Sequence, residues 1–438
     1  MSDNLPAKVS ESLFPKEEEE EEEEEEVAMW DFLPPEILPN ILIRLPTKSI
    51  VKFTSVCKTW RSLIRNPDFI SAHLKLSNHN QPLLLFRFCS DWLKDAMFNM
   101  MFSMKRDTHE NEVYKLYCDN QDFNEHTRFV IPFRPQAHGS PFRVVGTCNG
   151  LVCVTGDCFS RIIILWNPCV RMFVVLPEPN VTYQLYGGCC ASAGFGFDSK
   201  TNDYKVVRVV SVLDGRRTVW GVSPPKVEVY SLDTGEWSMV TTALPCAVWP
   251  GDPMPFVNGA LHWVALRRTN YEKYRNFITV LDLGDMVFRE IALPILSDDK
   301  DNGDESHIHP FISAYGNSLA VFQEGFHTLC VNVWLMKRYA DASSWTKIVI
   351  FPHIGLMDQD INDMIDVDHA EGDTHRAKGF RQSGEVVVQL DFDQRLVSQD
   401  LETQERKDLR ISAYNYTFVG SYVKSLVLLD KPNRAATY

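Results

Sequence analysis

The side chains best suited to chemistry in this sequence are its thiols, its imidazoles and one acidic stretch. Cys148, Cys153 and Cys158 are evenly spaced, but zinc motifs bring their ligands in tighter pairs. These three fall in strand-like sequence, so reduced core thiols are expected. His307 and His309 flank Ile308 in an acidic segment, which reads as a solvated loop. Met357–Asp373, MDQDINDMIDVDHAEGD, has the charge of a calcium loop without its glycine at the sixth position or its closing glutamate. Gly194–Ser199, GFGFDS, lacks the third glycine and following helix of a nucleotide-binding loop, and a tight turn between strands is expected. There is no G-x-S-x-G elbow, Walker loop, H-E-x-x-H or dinucleotide fingerprint. No catalytic residue, metal site or cofactor site is expected, and the chain reads as a non-enzyme.

A chain of 438 residues predicts a small unit plus one large domain. Its net charge of −14 is unevenly placed, because Glu17–Glu26 is a run of ten glutamates. Without them 48 acids face 44 bases, so the remainder is near neutral and lacks the basic face that nucleic acid demands. The run repels itself, so a solvated, disordered tail is expected. No apolar segment follows Met1, and no stretch of ~18 apolar residues could span a bilayer. The eleven cysteines, an odd number, are expected to be reduced, and the sequons at Asn180 and Asn415 carry little weight. A cytoplasmic or nuclear location is expected, with neither nucleic acid nor membrane as partner.

Between Leu33 and Ile64 the texture is helical. Ile37, Leu38, Ile41, Leu42 and Leu45 recur on one helical face. Pro46 stops that helix, and Pro39 is tolerated in its first turn, where its missing N–H has no partner anyway. Thr47 is expected to cap a second helix carrying Ile50 and Phe53. Ser55 is expected to cap a third carrying Val56, Trp60, Leu63 and Ile64, with Asn66-Pro67 ending it. Three short helices make too small a core to stand alone. Cover must come from the rest of the chain or from a partner. Residues 27–77 hold seven Lys or Arg against three acids, which favours an acidic partner with an apolar groove.

Beyond residue 80 short β-branched runs alternate with turn residues, an all-β signature. A refrain recurs in which a strand, a polar turn and a second strand follow each other. Its copies are Ile164–Pro177, Val227–Val240, Phe277–Leu293, Val331–Phe351 and Val397–Ile411. A period near ~50 residues is that of a kelch-type propeller blade, and Phe142–Asp430 would hold about six blades. A distorted sandwich and an incomplete ring are the alternatives. Trp220, Trp237, Trp249, Trp263, Trp334 and Trp345 read as packing between strands.

Trp30–Leu76 resembles the F-box, whose plant versions read Leu-Pro-x-Glu, Ile-Leu, Arg-Leu-Pro, Lys-Ser and a closing Val-Cys-Lys-x-Trp-Arg. Here these are Leu33-Pro34-Pro35-Glu36, Ile41-Leu42, Arg44-Leu45-Pro46, Lys48-Ser49 and Val56-Cys57-Lys58-Thr59-Trp60-Arg61, with Pro39 departing from the pattern. The β-region resembles the F-box-associated, kelch-like domain of plant F-box proteins through GTCNGLVCV (Gly146–Val154), LWNPCVRMFVVLP (Leu165–Pro177), GFGFDSKTNDYKVVRVV (Gly194–Val210), VEVYSLDTGEWS (Val227–Ser238) and NGALHWV (Asn258–Val264). The resemblance implies a small all-α three-helix F-box followed by an all-β domain, a kelch-like β-propeller of about six blades. It implies a substrate receptor of an SCF-type ubiquitin ligase that binds a Skp-family adaptor, and through it cullin and RING subunits, and that presents an unidentified target protein for degradation. An F-box scaffold working outside the ligase is the alternative. Carried over by position, the Skp-binding residues are Leu33, Pro34, Ile37, Leu38, Ile41, Leu42, Leu45, Pro46, Ser49, Val56, Cys57, Trp60, Leu63 and Ile64. The expected organisation is an acidic tail (1–28), the F-box (29–77), a connecting segment with first strands (78–141), the propeller-like domain (142–430) and a C-terminal tail (431–438).

Overall fold

The refrain folds into a hairpin with a five-residue turn, and its polar first residue explains why. In Asn167–Arg171, Ser231–Gly235, Asp282–Met286 and Asp400–Gln404 the first side chain turns back to accept main-chain N–H bonds. Asn167 Oδ1 takes Cys169 N, Ser231 Oγ takes Thr234 N, Asp282 Oδ1 takes Gly284 N and Asp285 N, and Asp400 Oδ1 takes Glu402 N and Thr403 N, all at 2.7–3.1 Å. The fifth residue lies in the left-handed region, at φ between 54° and 76°. In the last three turns its N–H closes on the first residue's carbonyl, at 2.8–3.1 Å. Ser, Asp and Asn four residues before a left-handed position are thus the physical content of the repeat.

The computed structural model describes residues 37–77, 82–89, 112–133, 142–156, 161–182, 189–212, 224–242, 244, 246–248, 253–268, 274–294, 310–324, 331–350, 377–390, 395–413 and 417–438. Four helices come first: α1 (Ile37–Leu42), α2 (Thr47–Phe53), α3 (Lys58–Ile64) and α4 (Pro67–Ser77). The fourth corrects the three-helix expectation. Asn66-Pro67 ends α3 but also starts α4, with Pro67 in the first helical position, where it costs nothing, and Asn66 Oδ1 accepting Asp68 N at 2.7 Å. Two caps also differ. Pro46, not Thr47, precedes α2, and Cys57 rather than Ser55 caps α3, its Sγ accepting Trp60 N at 3.4 Å.

Strands follow in six antiparallel sheets. Blade 1 takes β1 (Leu83–Cys89), β2 (Glu112–Cys118) and β3 (Glu125–Phe129). Blade 2 takes β4 (Arg143–Cys148), β5 (Leu151–Thr155), β6 (Ile163–Asn167) and β7 (Met172–Val175). Blade 3 takes β8 (Cys189–Asp198), β9 (Asp203–Val212), β10 (Lys226–Ser231) and β11 (Trp237–Met239). Blade 4 takes β12 (Ala247–Val248), β13 (Phe256–Val257), β14 (Ala260–Arg268), β15 (Tyr274–Asp282) and β16 (Val287–Ala292). Blade 5 takes β17 (Phe311–Tyr315), β18 (Ser318–Glu324), β19 (Val331–Met336) and β20 (Trp345–Ile350). Blade 6 takes β21 (Ala377–Phe380), β22 (Val386–Gln389), β23 (Arg395–Gln399) and β24 (Arg406–Ser412). Every copy of the refrain is the outer hairpin of a blade.

Two strands then return to the start. β25 (Phe418–Tyr422) pairs with β1, Leu83 opposite Tyr422 and Arg87 opposite Phe418, and becomes the innermost strand of blade 1. β26 (Ala436–Thr437) pairs with β7 on the rim of blade 2. Inner strands adjoin in a closed cycle, β25 to β4, β4 to β8, β8 to β14, β14 to β17, β17 to β21 and β21 to β25. The structure is a six-bladed propeller, with no free edge at the join. The ring therefore begins at Leu83, in the segment read as a connection with first strands, and its last strand, β26, lies in the segment read as a C-terminal tail.

Neighbouring blades interlock by position. Trp237 and Trp345 each open a fourth strand and donate the indole N–H to a carbonyl closing the preceding blade, Pro177 O at 2.9 Å and Ala292 O at 3.0 Å. The glycines of Gly194–Ser199 lie within β8 rather than in a turn, correcting the expectation. A Cβ on Gly194 would stand 2.9 Å from Leu261 Cδ1, and one on Gly196 2.4 Å from Phe256 Cδ2, so their bareness admits blade 4. Cys148 and Cys153 are buried free thiols, burial pushing the Cys148 thiol up to about 12. No metal-binding group of side chains occurs among the described residues.

Two expected outcomes test this account. Gly150 and Gly259 both follow asparagine in tight turns at φ near 80°, but only Gly150 is crowded, a Cβ there lying 2.7 Å from Val423 O in the closing segment. Gly259→Ala should cost about 1 kcal/mol of left-handed strain and Gly150→Ala about 1–3 kcal/mol more, read by denaturant unfolding. His262 is buried between Pro255 O (3.2 Å from Nδ1) and Tyr339 OH (2.9 Å from Nε2). Burial pushes it down to about 4, against weaker support for the charged form from the Pro255 and Ala260 backbone. Its unfolded form protonates near 6.5 while the native form stays neutral, so stability should fall as pH drops from about 6.5 to 4. His262→Gln should flatten that part of the stability profile, measured by unfolding at stepped pH.

Candidate adaptor-binding and target-binding surfaces

The helical module divides its apolar side chains between two jobs. Leu42, Ile50, Ile64, Phe69 and Ile70 are buried. They join one continuous cluster with Leu426–Leu429 of the segment after β25 and with Val145, Leu151 and Tyr204 of blades 2 and 3. Facing outward are Ile37, Ile41 and Val56, at 41%, 47% and 59% exposure. The helices are thus covered in part by their own chain and retain an apolar remainder.

Of the residues expected to touch an adaptor, Ile37, Ile41, Pro46, Val56 and Cys57 are exposed and Leu38, Leu45, Ser49, Trp60 and Leu63 are half-buried. Leu33 and Pro34 lie outside the described residues. Leu42 and Ile64, at 1% and 0% exposure, are instead buried. They point into the shared cluster because α1 and α3 each offer one stripe to the propeller, and the same helical periodicity fits either stripe. Phe53 went unassigned from sequence, yet it supports Trp60 edge-to-face, centroids 5.3 Å apart. Leu76, at 46% exposure, was hidden by reading Asn66-Pro67 as a stop.

His73 of α4 ties the module together. Its Nε2 lies 3.3 Å from Leu45 O and its Nδ1 3.4 Å from Ser77 Oγ. Burial lowers its pKa, against the Leu45 carbonyl, which raises it. A carbonyl only accepts, so the neutral ring carries its proton on Nε2 and accepts from Ser77 at Nδ1. Arg44, Lys48, Lys52, Lys58 and Arg61 stand exposed around the apolar remainder, a rim suited to an acidic partner.

The propeller has two unlike faces. Turns after first and third strands, such as Asn149–Gly150, Asn258–Gly259 and Asp282–Met286, are tight and lie on one side. Links after second and fourth strands join strand ends on the other side, and they include 90–111, 213–225, 293–310 and 351–376. The helical module sits on the tight-turn side. Its Ile43–Thr47, His73, Leu76 and Ser77 share a cleft with Leu83, His126, the Thr147–Gly150 turn, Gln382 and Ser421–Lys424. His307, His309 and the acidic Met357–Asp373 lie outside the described residues, as do the glutamate run, Cys158, Trp220, Trp249 and Asn415.

Residues 101–429 match the family model of the F-box associated beta propeller domain, and residues 30–71 that of the F-box domain. The chain belongs to the F-box-associated propeller family. An F-box/kelch-repeat protein of Arabidopsis thaliana is 26% identical over 74% of this chain and 80% of its own length. The F-box protein CPR1 of the same plant is 26% identical over 72% of each. Among solved structures, TolB from Acinetobacter baumannii shares 10% identity at TM-score 0.41, over 75% of this chain and 71% of its own. Propellers of this family with an F-box are substrate receptors in general and are typically non-catalytic, and the F-box implies a Skp-type adaptor. No helix among the described residues is long and apolar enough to cross a membrane.

The two stripes of the F-box should separate in experiment. Leu42→Ala leaves a cavity in the shared cluster and should cost about 2–5 kcal/mol of stability, whereas Ile41→Ala should stay within about 0.5 kcal/mol. Thermal unfolding of the full chain checks both.

Proposed function

We propose that this chain is the substrate-recognition subunit of an SCF-type ubiquitin ligase. The F-box engages a Skp-family adaptor, cullin and RING subunits follow through it, and the far face of the propeller holds a target protein for ubiquitination and proteasomal degradation. The observation that carries this reading is the polarity of the ring: the F-box occupies the tight-turn face, and the strand ends joined by the longest connections lie on the opposite one. An adaptor seated on Ile37, Ile41 and Val56 then leaves the link-bearing face free for another protein. Nothing in this chain has to perform ubiquitin chemistry. Holding a target beside the charged ubiquitin carrier raises the effective concentration of its lysines, which is catalysis by proximity supplied to other subunits. The exposed basic rim speeds encounter with an acidic adaptor more than it tightens the complex. The setting is the cytoplasm, the nucleus or both.

Affinity capture of the tagged full chain from plant cells tests the reading. Skp, cullin and RING subunits should co-purify, and the triple substitution Ile37→Ser, Ile41→Ser and Val56→Asp should reduce all three at least about tenfold without changing the fold. Capture of Skp without cullin would instead favour a scaffold outside the ligase.

A further inference from the structure

The cleft between the F-box and the tight-turn face has a volume of about 810 Å³, and its charge is one-sided. Its charge comes from Arg44 of the α1–α2 turn and Lys424 of the segment after β25, the His73 and His126 imidazoles lie beside them, and no Asp or Glu lines it among the described residues. Lys424 Nζ and His126 Nε2 meet directly. Among the described residues Arg44 makes no ion pair and Lys424 none with a carboxylate. Burial lowers the His126 pKa, and Lys424 lowers it further, as expected when a cation faces a base with no anion between them.

The sequence supplies the missing charge in one place. Glu17–Glu26 carries ten of the chain's acids, and without it the chain is close to neutral. Residues 27–36 join that run to α1, and ten residues reach at most roughly 33–36 Å. α1 itself is one and a half turns long and ends beside Arg44 at the cleft's mouth. A segment tethered this closely acts at an effective concentration in the millimolar range, so even a weak carboxylate-to-cation attraction fills the site.

We propose that this cleft is a binding site for a chain of carboxylates and that its occupant is the chain's own Glu17–Glu26 run, whose side chains pair with Lys424 and Arg44. The contact is electrostatic and solvated at its edges, so salt weakens it.

Zero-length carbodiimide coupling of the full-length protein, read by peptide mass spectrometry, tests this. At about 0.05 M salt Lys424 should couple to a glutamate of residues 17–26, and at about 1 M salt, where screening acts within ~3 Å, the yield should fall at least about fivefold. In a second chain with all ten glutamates changed to glutamine, Lys424 should acetylate at least about fivefold faster than in the native chain. Adding a decaglutamate peptide should restore protection. Equal acetylation in both chains would overturn the proposal. So would coupling confined to Lys52 and Lys58, or coupling that disappears on dilution, which would mean a second copy supplies the run. Protection by inorganic phosphate in the glutamine chain, with none from the native run, would make the cleft a small-anion site and overturn the occupant. Should the glutamine chain fail to fold, the salt dependence of coupling in the native protein decides alone.

Discussion

The ring exists only when Phe418–Tyr422 pairs with Leu83–Arg87, strands more than three hundred residues apart in the chain. Each blade buries its faces against its neighbours, so an open ring would leave two blades with a bare face each. Closure is reinforced on both sides of the join. Arg381 of blade 6 reaches Asp119 and the Asn120 carbonyl of blade 1, at 2.8 and 2.7 Å, and lies over the Phe123 ring. Past β25, Asn167 Nδ2 donates to Ser425 and Val427 oxygens, Tyr422 OH to Gly150 O, and Trp166 Nε1 to Tyr438 OH. The last turn of chain is therefore woven beneath blades 2 and 3.

The F-box depends on the same closure. Leu426–Leu429 reach the helices only because β25 has already been drawn into blade 1, and those leucines share one cluster with Leu42, Ile50 and Ile64. Ring closure thus orders the helical module as well as the blades, and it holds that module on the tight-turn face. The buried Arg208–Glu228 pair within blade 3 also fixes the Asn180–Val181 link.

Much of the architecture was legible because propeller blades repeat. The strand, polar turn and strand recur at a period near ~50 residues, and that period marks outer hairpins and suggests six blades. The F-box motif was equally readable, being dense and local. The misreadings share a cause. Pro67 was taken as a stop because proline forbids a helix interior but not its first position. Gly194 and Gly196 looked like turn residues because nothing local reveals Leu261 and Phe256 pressing on them from another blade. Leu42 and Ile41 are adjacent and equally apolar, and no periodicity says which stripe meets the propeller.

Local chemistry in the sequence determined the helices, the strand-turn-strand units, the lack of any recognisable catalytic motif and the lopsided placement of acid at one end. These follow from interactions spanning a handful of residues, which a linear reading captures. Tertiary structure decided where the ring joins, which F-box side chains stay outside, and that Arg44, His73, His126 and Lys424 line a single cleft. Those outcomes depend on contacts between residues hundreds of positions apart, where only the packed chain determines who meets whom.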